Sequence, residues 1–292
     1  MSKILLENVS YVYGAGTPFE MHALKNVSFG IRENAVTGLI GHTGSGKSTL
    51  VQLFNGLTRP SAGRILLDGT DIWEKPKQIK QVRFRVGLVM QYPEYQLFEE
   101  TVRADIAFGP KNMGLSADEI EERVTEAADL VGLDSALLDK SPFDLSGGEK
   151  RRVAIAGIVA MRPEVLVLDE PAAGLDPRGR DHILTQVRDY QKKSGATVVI
   201  VSHSMEDMAR FCDDIVVLAN GELVMQGSTE EVFAHADRLA EVGLNIPEIS
   251  RVCAMLRARG IPMDEGVFTV DAAAQCLLAL LKRTNGEGAS EG

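Results

Sequence analysis

The nine residues "GHTGSGKST" constrain this chain more than any other stretch of it. They are Gly41, His42, Thr43, Gly44, Ser45, Gly46, Lys47, Ser48 and Thr49, placed directly after the apolar β-forming run Ala35 to Ile40. The spacing fits the phosphate-binding pattern G-x-x-x-x-G-K-[ST], in which glycines let the backbone wrap a β-phosphate. Lys47 then offers a point charge to the β and γ oxygens, and the Ser48 hydroxyl reaches a Mg²⁺ ion. With glycine at ~7% of residues, a chance match in a chain of this size arises on the order of one time in a hundred. Its place between a strand and a helix makes coincidence rarer still. A nucleotide site is expected, built on an α/β fold.

Further short apolar runs support a mainly parallel sheet. Val86 to Met90, Val165 to Leu168, Thr197 to Val201 and Ile215 to Leu218 read as buried strands, the last three separated by helical stretches. Ile4 to Tyr13 and Lys25 to Ile31 mix β-formers with polar residues, as strands of a half-exposed sheet do. Arg64 to Leu67, ending in "DGTD", reads as a hairpin arm with its turn. Ser116 and Ser146 cap helices over Ser116 to Val131 and Leu145 to Met161, so a helical insert is expected between about 99 and 162. The main domain is expected over 1–232, followed by a helical extension over 233–292. In that extension Ile249, Val252, Cys253 and Leu256 share one helix face. Asp271 reads as the cap of a second helix, "AAAQCLLALLK", and "NGEGASEG" as a flexible tail.

A formal net charge of -10 argues against nucleic acid or anionic lipid as the main partner. The three cysteines, Cys212, Cys253 and Cys276, lack metal-ligand spacing and fit a reducing compartment. No apolar run approaches the ~18 residues that span a bilayer, and Met1 to Glu7 does not read as a signal peptide. A soluble intracellular protein is expected.

Three more features carry chemistry. "VLVLDEP" sets Asp169 and Glu170 at the end of a buried strand, where paired acids are costly unless a cation or substrate uses them. Asp169 is placed to hold Mg²⁺ through water, and Glu170 to polarise an attacking water. His203 follows the next strand in "VIVSHS" and would share their sheet edge, within reach of a γ-phosphate. "DLSGGEKRR" holds a capping box, Ser146 with Glu149, in front of a helix that starts with Gly147 and Gly148. Bare N–H groups at a helix start form an anion site. The chain already has one phosphate site about a hundred residues earlier, so the second needs another anion.

In this order the pieces resemble the ATP-binding cassette (ABC) ATPases over about residues 3 to 230. Walker A is "GHTGSGKST", Gln91 the Q-loop residue and "LSGGE" the signature. "VLVLDE" is Walker B, Ala173 to Asp176 the D-loop and His203 the switch histidine. The resemblance implies a parallel-sheet core with an antiparallel β subdomain and a helical subdomain. It also implies hydrolysis of ATP with Mg²⁺, Glu170, His203 and Gln91 being catalytic and Ser48, Gln91 and Asp169 serving the metal. The adenine-stacking aromatic falls on Tyr13 or Tyr11, which alternation points to the same face. In the family two ATPases pack head to tail, so Ser146, Gly147 and Gly148 would cap ATP held by a partner.

"MQYPEYQLFEETVRADIAFGPKNMGLS" is similar, more narrowly, to ATPases of energy-coupling-factor (ECF) importers for vitamins or metal ions. Within these it resembles the type paired with a related but distinct second ATPase, with a homodimer as the alternative. Implied partners are that ATPase, a transmembrane coupling subunit and a substrate-binding membrane subunit, and the implied location is peripheral, on the cytoplasmic face of the cell membrane. The extension after Phe233 agrees with the C-terminal dimerisation unit of ECF ATPases. Ala172 departs from the usual threonine without touching the chemistry of Asp169 and Glu170. Read from its residues, the same segment is rich in aromatics and acids (Tyr92, Glu94, Tyr95, Phe98, Glu99, Glu100, Asp105) and suits a basic helix of a partner. Rival readings are the ATPase of another ABC transporter class and a soluble ABC protein of DNA repair or translation. The latter would carry coiled-coil insertions or two cassettes, which this sequence lacks.

Overall fold

The computed structural model describes residues 1–264 and 266–287, with side chains as far as Lys282. The chain opens with β1 (Ser2–Tyr13), β2 (Met21–Arg32), β3 (Val36–Ile40), α1 (Lys47–Phe54), β4 (Ala62–Leu67), β5 (Thr70–Asp71), α2 (Ile79–Arg85) and β6 (Val86–Val89). Helices α3 (Val102–Met113), α4 (Ala117–Leu130) and α5 (Gly147–Val159) separate β6 from β7 (Val165–Asp169). Then come α6 (Pro177–Ser194), β8 (Thr197–Val201), α7 (Met205–Phe211), β9 (Asp214–Ala219) and β10 (Glu222–Ser228). Helices α8 (Thr229–Ala234), α9 (Ala236–Glu241), α10 (Glu248–Ala258) and α11 (Val270–Glu287) follow.

Among the described residues these strands make two sheets, an antiparallel one ordered β2-β1-β4-β5 and a second ordered β10-β9-β3-β8-β7-β6. In the second sheet β9, β3, β8, β7 and β6 run parallel, and β10 returns antiparallel beside β9. Its central strands are continuous apolar runs because helices or the other sheet cover both faces. Alternate residues serve the two sides. Val36, Leu166, Leu168, Val198 and Ile200 pack with the helices that follow β6. Leu39, Val167, Val199 and Val216 face Leu50, Leu53 and Phe54 of α1, which is sandwiched against the antiparallel sheet. Parallel pairing sets Leu39 opposite Val201 and Val201 opposite Asp169, so β3, β8 and β7 end level. In open α/β sheets, ligands bind at that edge.

Several local expectations change. Strand β10, absent from the sequence reading, follows a turn at Asn220 (φ 52) and Gly221 (φ 80). An Asn-Gly pair between apolar runs is a two-residue hairpin signal. Asp271 is not the cap of α11. The helix starts at Val270, and Thr269 Oγ1 accepts the Ala272 N–H at 3.2 Å. A cap must precede the helix, whereas Asp271 sits inside the first turn and complements its dipole. The same helix runs on through Asn285, Gly286 and Glu287 of the expected tail, and 288–292 lie outside the described residues. On α10, Ile249, Cys253 and Leu256 pack with Met263, Val267 and Ala273, but Val252 at the stripe's edge is 46% exposed. The α10–α11 pair covers only the middle of that face.

Phe233, where the sequence changes character, is buried in the main core, and its ring lies 5.9 Å from that of Phe268. The extension is therefore pinned to the core through a filled aromatic contact. Phe233→Ala should cost about 3–5 kcal/mol by emptying that position. Urea unfolding should show it as a lower midpoint, and an unchanged midpoint would mean that the extension is not anchored there.

Candidate nucleotide site

The loop between β3 and α1 has the shape its glycines permit. A Cβ on Gly41 would meet the Leu218 carbonyl at 2.3 Å and Ser45 Oγ at 2.4 Å. Gly46 has φ +102°, and a Cβ there would meet the Ala23 carbonyl at 2.6 Å. Gly46 is also the N-cap of α1 and supplies no side chain, so the first N–H groups of the helix stay open to an anion. From the other side the Asn220–Gly221 turn braces the loop. Gly221 N–H donates to the Ser45 carbonyl at 3.2 Å, and Asn220 N–H lies 3.4 Å from His42 Nε2.

Lys47 is buried and donates to the carbonyls of Gly41 at 2.7 Å and His42 at 2.9 Å. Burial lowers its pKa, and nearby Glu170 and Asp169 only partly oppose this. Thr43, Gly44 and Ser48 are exposed along the loop, while Ser45 and Thr49 are buried. The Tyr13 hydroxyl lies 3.0 Å from Thr49 Oγ1, at the start of α1. Tyr11 packs partly buried against the core and meets Tyr13 edge-on, with ring centroids 4.8 Å apart. The half-exposed ring beside the loop is Tyr13.

Asp169 and Glu170 lie level with that loop. Burial raises the pKa of Asp169, against a hydrogen bond from the Ser48 hydroxyl and the charge of Lys47. Hydroxyl and carboxylate oxygens suit a hard cation such as Mg²⁺. Among the described residues no group of three or more His, Cys, Asp or Glu could hold a metal ion. Glu170 is pushed up to about 7, first by burial and then by Asp169, with Lys47 opposing. Its Oε1 is buried without a hydrogen bond, although His203 Nε2 is 3.3 Å away. Burial, helped by Lys47 and opposed by Asp169, lowers the His203 pKa. An unsatisfied carboxylate oxygen beside a phosphate loop is poised to take a hydrogen bond from water. Gln91 follows β6, the strand next to β7, and is exposed at the same edge.

The second anion site differs in kind. Ser146 and Glu149 form the expected capping box, with Ser146 N–H donating to Glu149 Oε2 at 2.8 Å. A Cβ on Gly147 would meet nothing within 4 Å, and one on Gly148 only Arg152 Nη1 at 3.9 Å. The chain's own packing therefore gives no reason for either glycine. In the neighbouring acidic segment, two of the expected surface acids turn inward. Glu94 pairs with Arg151 at 2.9 Å, and buried Asp105 accepts the N–H groups of Phe98 at 3.3 Å and Glu99 at 3.2 Å. Without Glu94 the buried Arg151 would lose its carboxylate, and Glu99 and Glu100 remain nearer the surface. Arg151, Asn220 and Gly221 escaped the sequence reading. The Asn-Gly turn signal could have found the last two; no local pattern marks the first.

Comparison with known proteins places these features. A family described as "ABC transporter" matches residues 24–173. The chain is 52% identical over 281 residues to the energy-coupling factor transporter ATP-binding protein EcfA2 of Caldanaerobacter subterraneus, covering 96% of this chain and 98% of that one. With the protein of the same name from Clostridium perfringens it shares 48% over 283 residues, covering 97% and 99%. Among solved structures, cbiO1 from Clostridium perfringens, described as part of the ABC transporter complex cbiONQ, superposes with a TM-score of 0.74. It is 41% identical, with 86% of this chain and 98% of that one covered. The cassette MJ0796, solved as a dimer in a post-hydrolysis state with ADP and Pi, gives a TM-score of 0.70 at 28% identity, covering 77% and 98%.

The contrast between the two glycine pairs is testable in the isolated chain. Gly41→Ala should weaken binding of a fluorescent ATP analogue at least ~10-fold, since a loop whose backbone must approach phosphate has no room for a methyl group. Gly147→Ala should leave that binding unchanged. Equal losses in both would mean that the two sites serve one nucleotide on the same chain.

Proposed function

The chain belongs to the ABC transporter family, among the ATP-binding subunits of energy-coupling-factor transporters, and on that premise we propose that it drives an importer of a vitamin or a metal ion. It is an ATPase, and its hydrolytic centre would be the edge at which Lys47, Ser48, Asp169, Glu170 and His203 meet. Tyr13 would stack on adenine, and the loop from Gly41 to Thr49 would cradle the phosphates. Ser48 and Asp169, with Gln91 nearby, would hold Mg²⁺, which neutralises charge on the phosphate oxygens. Glu170 would orient and deprotonate the attacking water, and His203, whose Nε2 is 3.3 Å from Glu170, would reach the γ-phosphate.

The observation that carries the assembly is the open pair Gly147 and Gly148, which nothing in this chain requires. A partner's ATP, in a head-to-tail dimer with a second, homologous ATPase, accounts for it. The exposed helix start would then cap the partner's γ-phosphate with N–H groups. The protein would sit peripherally on the cytoplasmic face of the membrane. Among the described residues no helix is long and apolar enough to cross one. A membrane subunit would dock at the groove of about 330 Å³ lined by Phe84, Leu97, Phe98 and Phe108 beside the Gln91 segment. Phe98 and Phe108 stand 58% and 44% exposed there. With Glu94 turned inward, aromatic surface and Glu99 would carry that contact.

Glu170→Gln should bind ATP normally and lose hydrolysis by ~10²-fold or more, because the positioned base is gone. ATP would accumulate in a closed dimer, visible by size-exclusion chromatography; near-normal turnover in the purified complex would remove Glu170 from its role. Ser146→Arg puts bulk and charge on the exposed helix start and leaves the chain's own phosphate loop intact. Monomeric binding should persist while ATP-driven dimerisation fails. Loss of monomeric binding would contradict the shared site.

A further inference from the structure

Arg151 lies on α5, five residues after Ser146, and is 4% exposed. A buried guanidinium is costly unless its N–H groups are used, and here they reach two separate segments. Nε and Nη2 donate to the Glu94 carboxylate at 3.2 and 2.9 Å. Nη1 donates to the Pro171 carbonyl at 3.4 Å and to the carbonyl of Ala173. Glu94 belongs to the segment that follows Gln91, and Pro171 and Ala173 belong to the turn that follows Glu170. Burial by itself would raise the Glu94 pKa, yet the Arg151 hydrogen bonds, a backbone bond and the Arg151 charge hold it below the ordinary value. The pair is therefore ionised.

Both anchored segments carry backbone that side chains rarely adopt. Tyr92 has φ 56° and Glu170 φ 53°. Such conformations persist where the surroundings over-determine them, and the arginine fork supplies one constraint to each segment. Helix α5 does not need these bonds for its own start, which Ser146 and Glu149 already cap. A lysine could satisfy the carboxylate or the carbonyls, but a single ammonium does not span both as a planar fork does.

We propose that Arg151 is a positioning residue that ties the segment after Gln91 to the turn after Glu170, so that load on that segment sets the alignment of the hydrolytic carboxylate. Because Arg151 rides on the helix whose start faces a partner's nucleotide, the same tie joins the two ATP sites of the dimer. The inference rests on the hydrolytic reading of Glu170.

The test uses the ATPase purified together with its membrane partners. Glu94→Gln keeps shape and removes charge, while Arg151→Lys keeps charge and loses the fork. Each should lower kcat about tenfold with KM for MgATP within about twofold, the pattern of a lost transition-state alignment rather than lost binding. The double variant should be no slower than the worse single one, because both changes cut one link. Losses that multiply, a single variant with wild-type kcat, or loss of folding or nucleotide binding along with kcat would each overturn the proposal. Glu170→Gln in the same preparation separates the two levels. If it hydrolyses normally, the reading beneath the inference fails; if it is inactive while Glu94→Gln is unaffected, the link alone is rejected.

Discussion

The level ends of β3, β8 and β7 are the constraint on which the rest of the site depends. Parallel pairing in that register delivers Gly41, His203 and Glu170 to one edge from positions far apart in the chain. Burial of both sheet faces then leaves the edge as the place where polar groups can meet ligand. It also shapes their charges. Burial lowers the Lys47 pKa and raises those of Asp169 and Glu170, the last to about 7. Lys47 donates to its own loop carbonyls, and one Glu170 oxygen accepts no bond. Water would satisfy the Glu170 oxygen that the protein leaves unpartnered, and a phosphate would compete with the loop carbonyls for Lys47.

The two helix starts in the chain answer different needs. In the loop before α1, Gly41 and Gly46 are forced, since a Cβ on either would strike a backbone carbonyl at 2.3 or 2.6 Å. At α5 the added atoms would meet open space or, for Gly148, only Arg152 Nη1 at 3.9 Å, so packing within the chain does not require the glycines. On the proposed head-to-tail reading, a chain with one enclosed phosphate loop and one open helix start would be half of two sites. In such a dimer, conformations closed with ATP and open after hydrolysis would be a mechanical output available to a membrane partner.

Much of this was legible in the sequence because it is local. The phosphate loop, the Ser146–Glu149 box, the paired acids and the apolar strands all announce themselves within about ten residues. The errors are instructive for the same reason. Thr269 rather than Asp271 caps α11 because a cap depends on where the helix starts, and alternation of apolar residues does not fix that to one position. Glu94 reads as a surface acid beside Glu99 and Glu100, yet an arginine 57 positions away turns it inward. Alternation puts Tyr11 and Tyr13 on one face, and only the fold shows that the hydroxyl of Tyr13 is the one beside Thr49. Arg151 lay hidden among three consecutive basic residues, and only the fold separates it from its neighbours.

The most direct test of the shared site is a cryo-EM structure of the Glu170→Gln complex with MgATP. Ser146 Oγ and the Gly148 N–H should lie within ~3.2 Å of the γ-phosphate of the nucleotide held by the partner ATPase. The nucleotide on this chain's own loop should be capped in the same way by the partner. A dimer in which the start of α5 faces solvent, or touches ATP bound to its own chain, would contradict it.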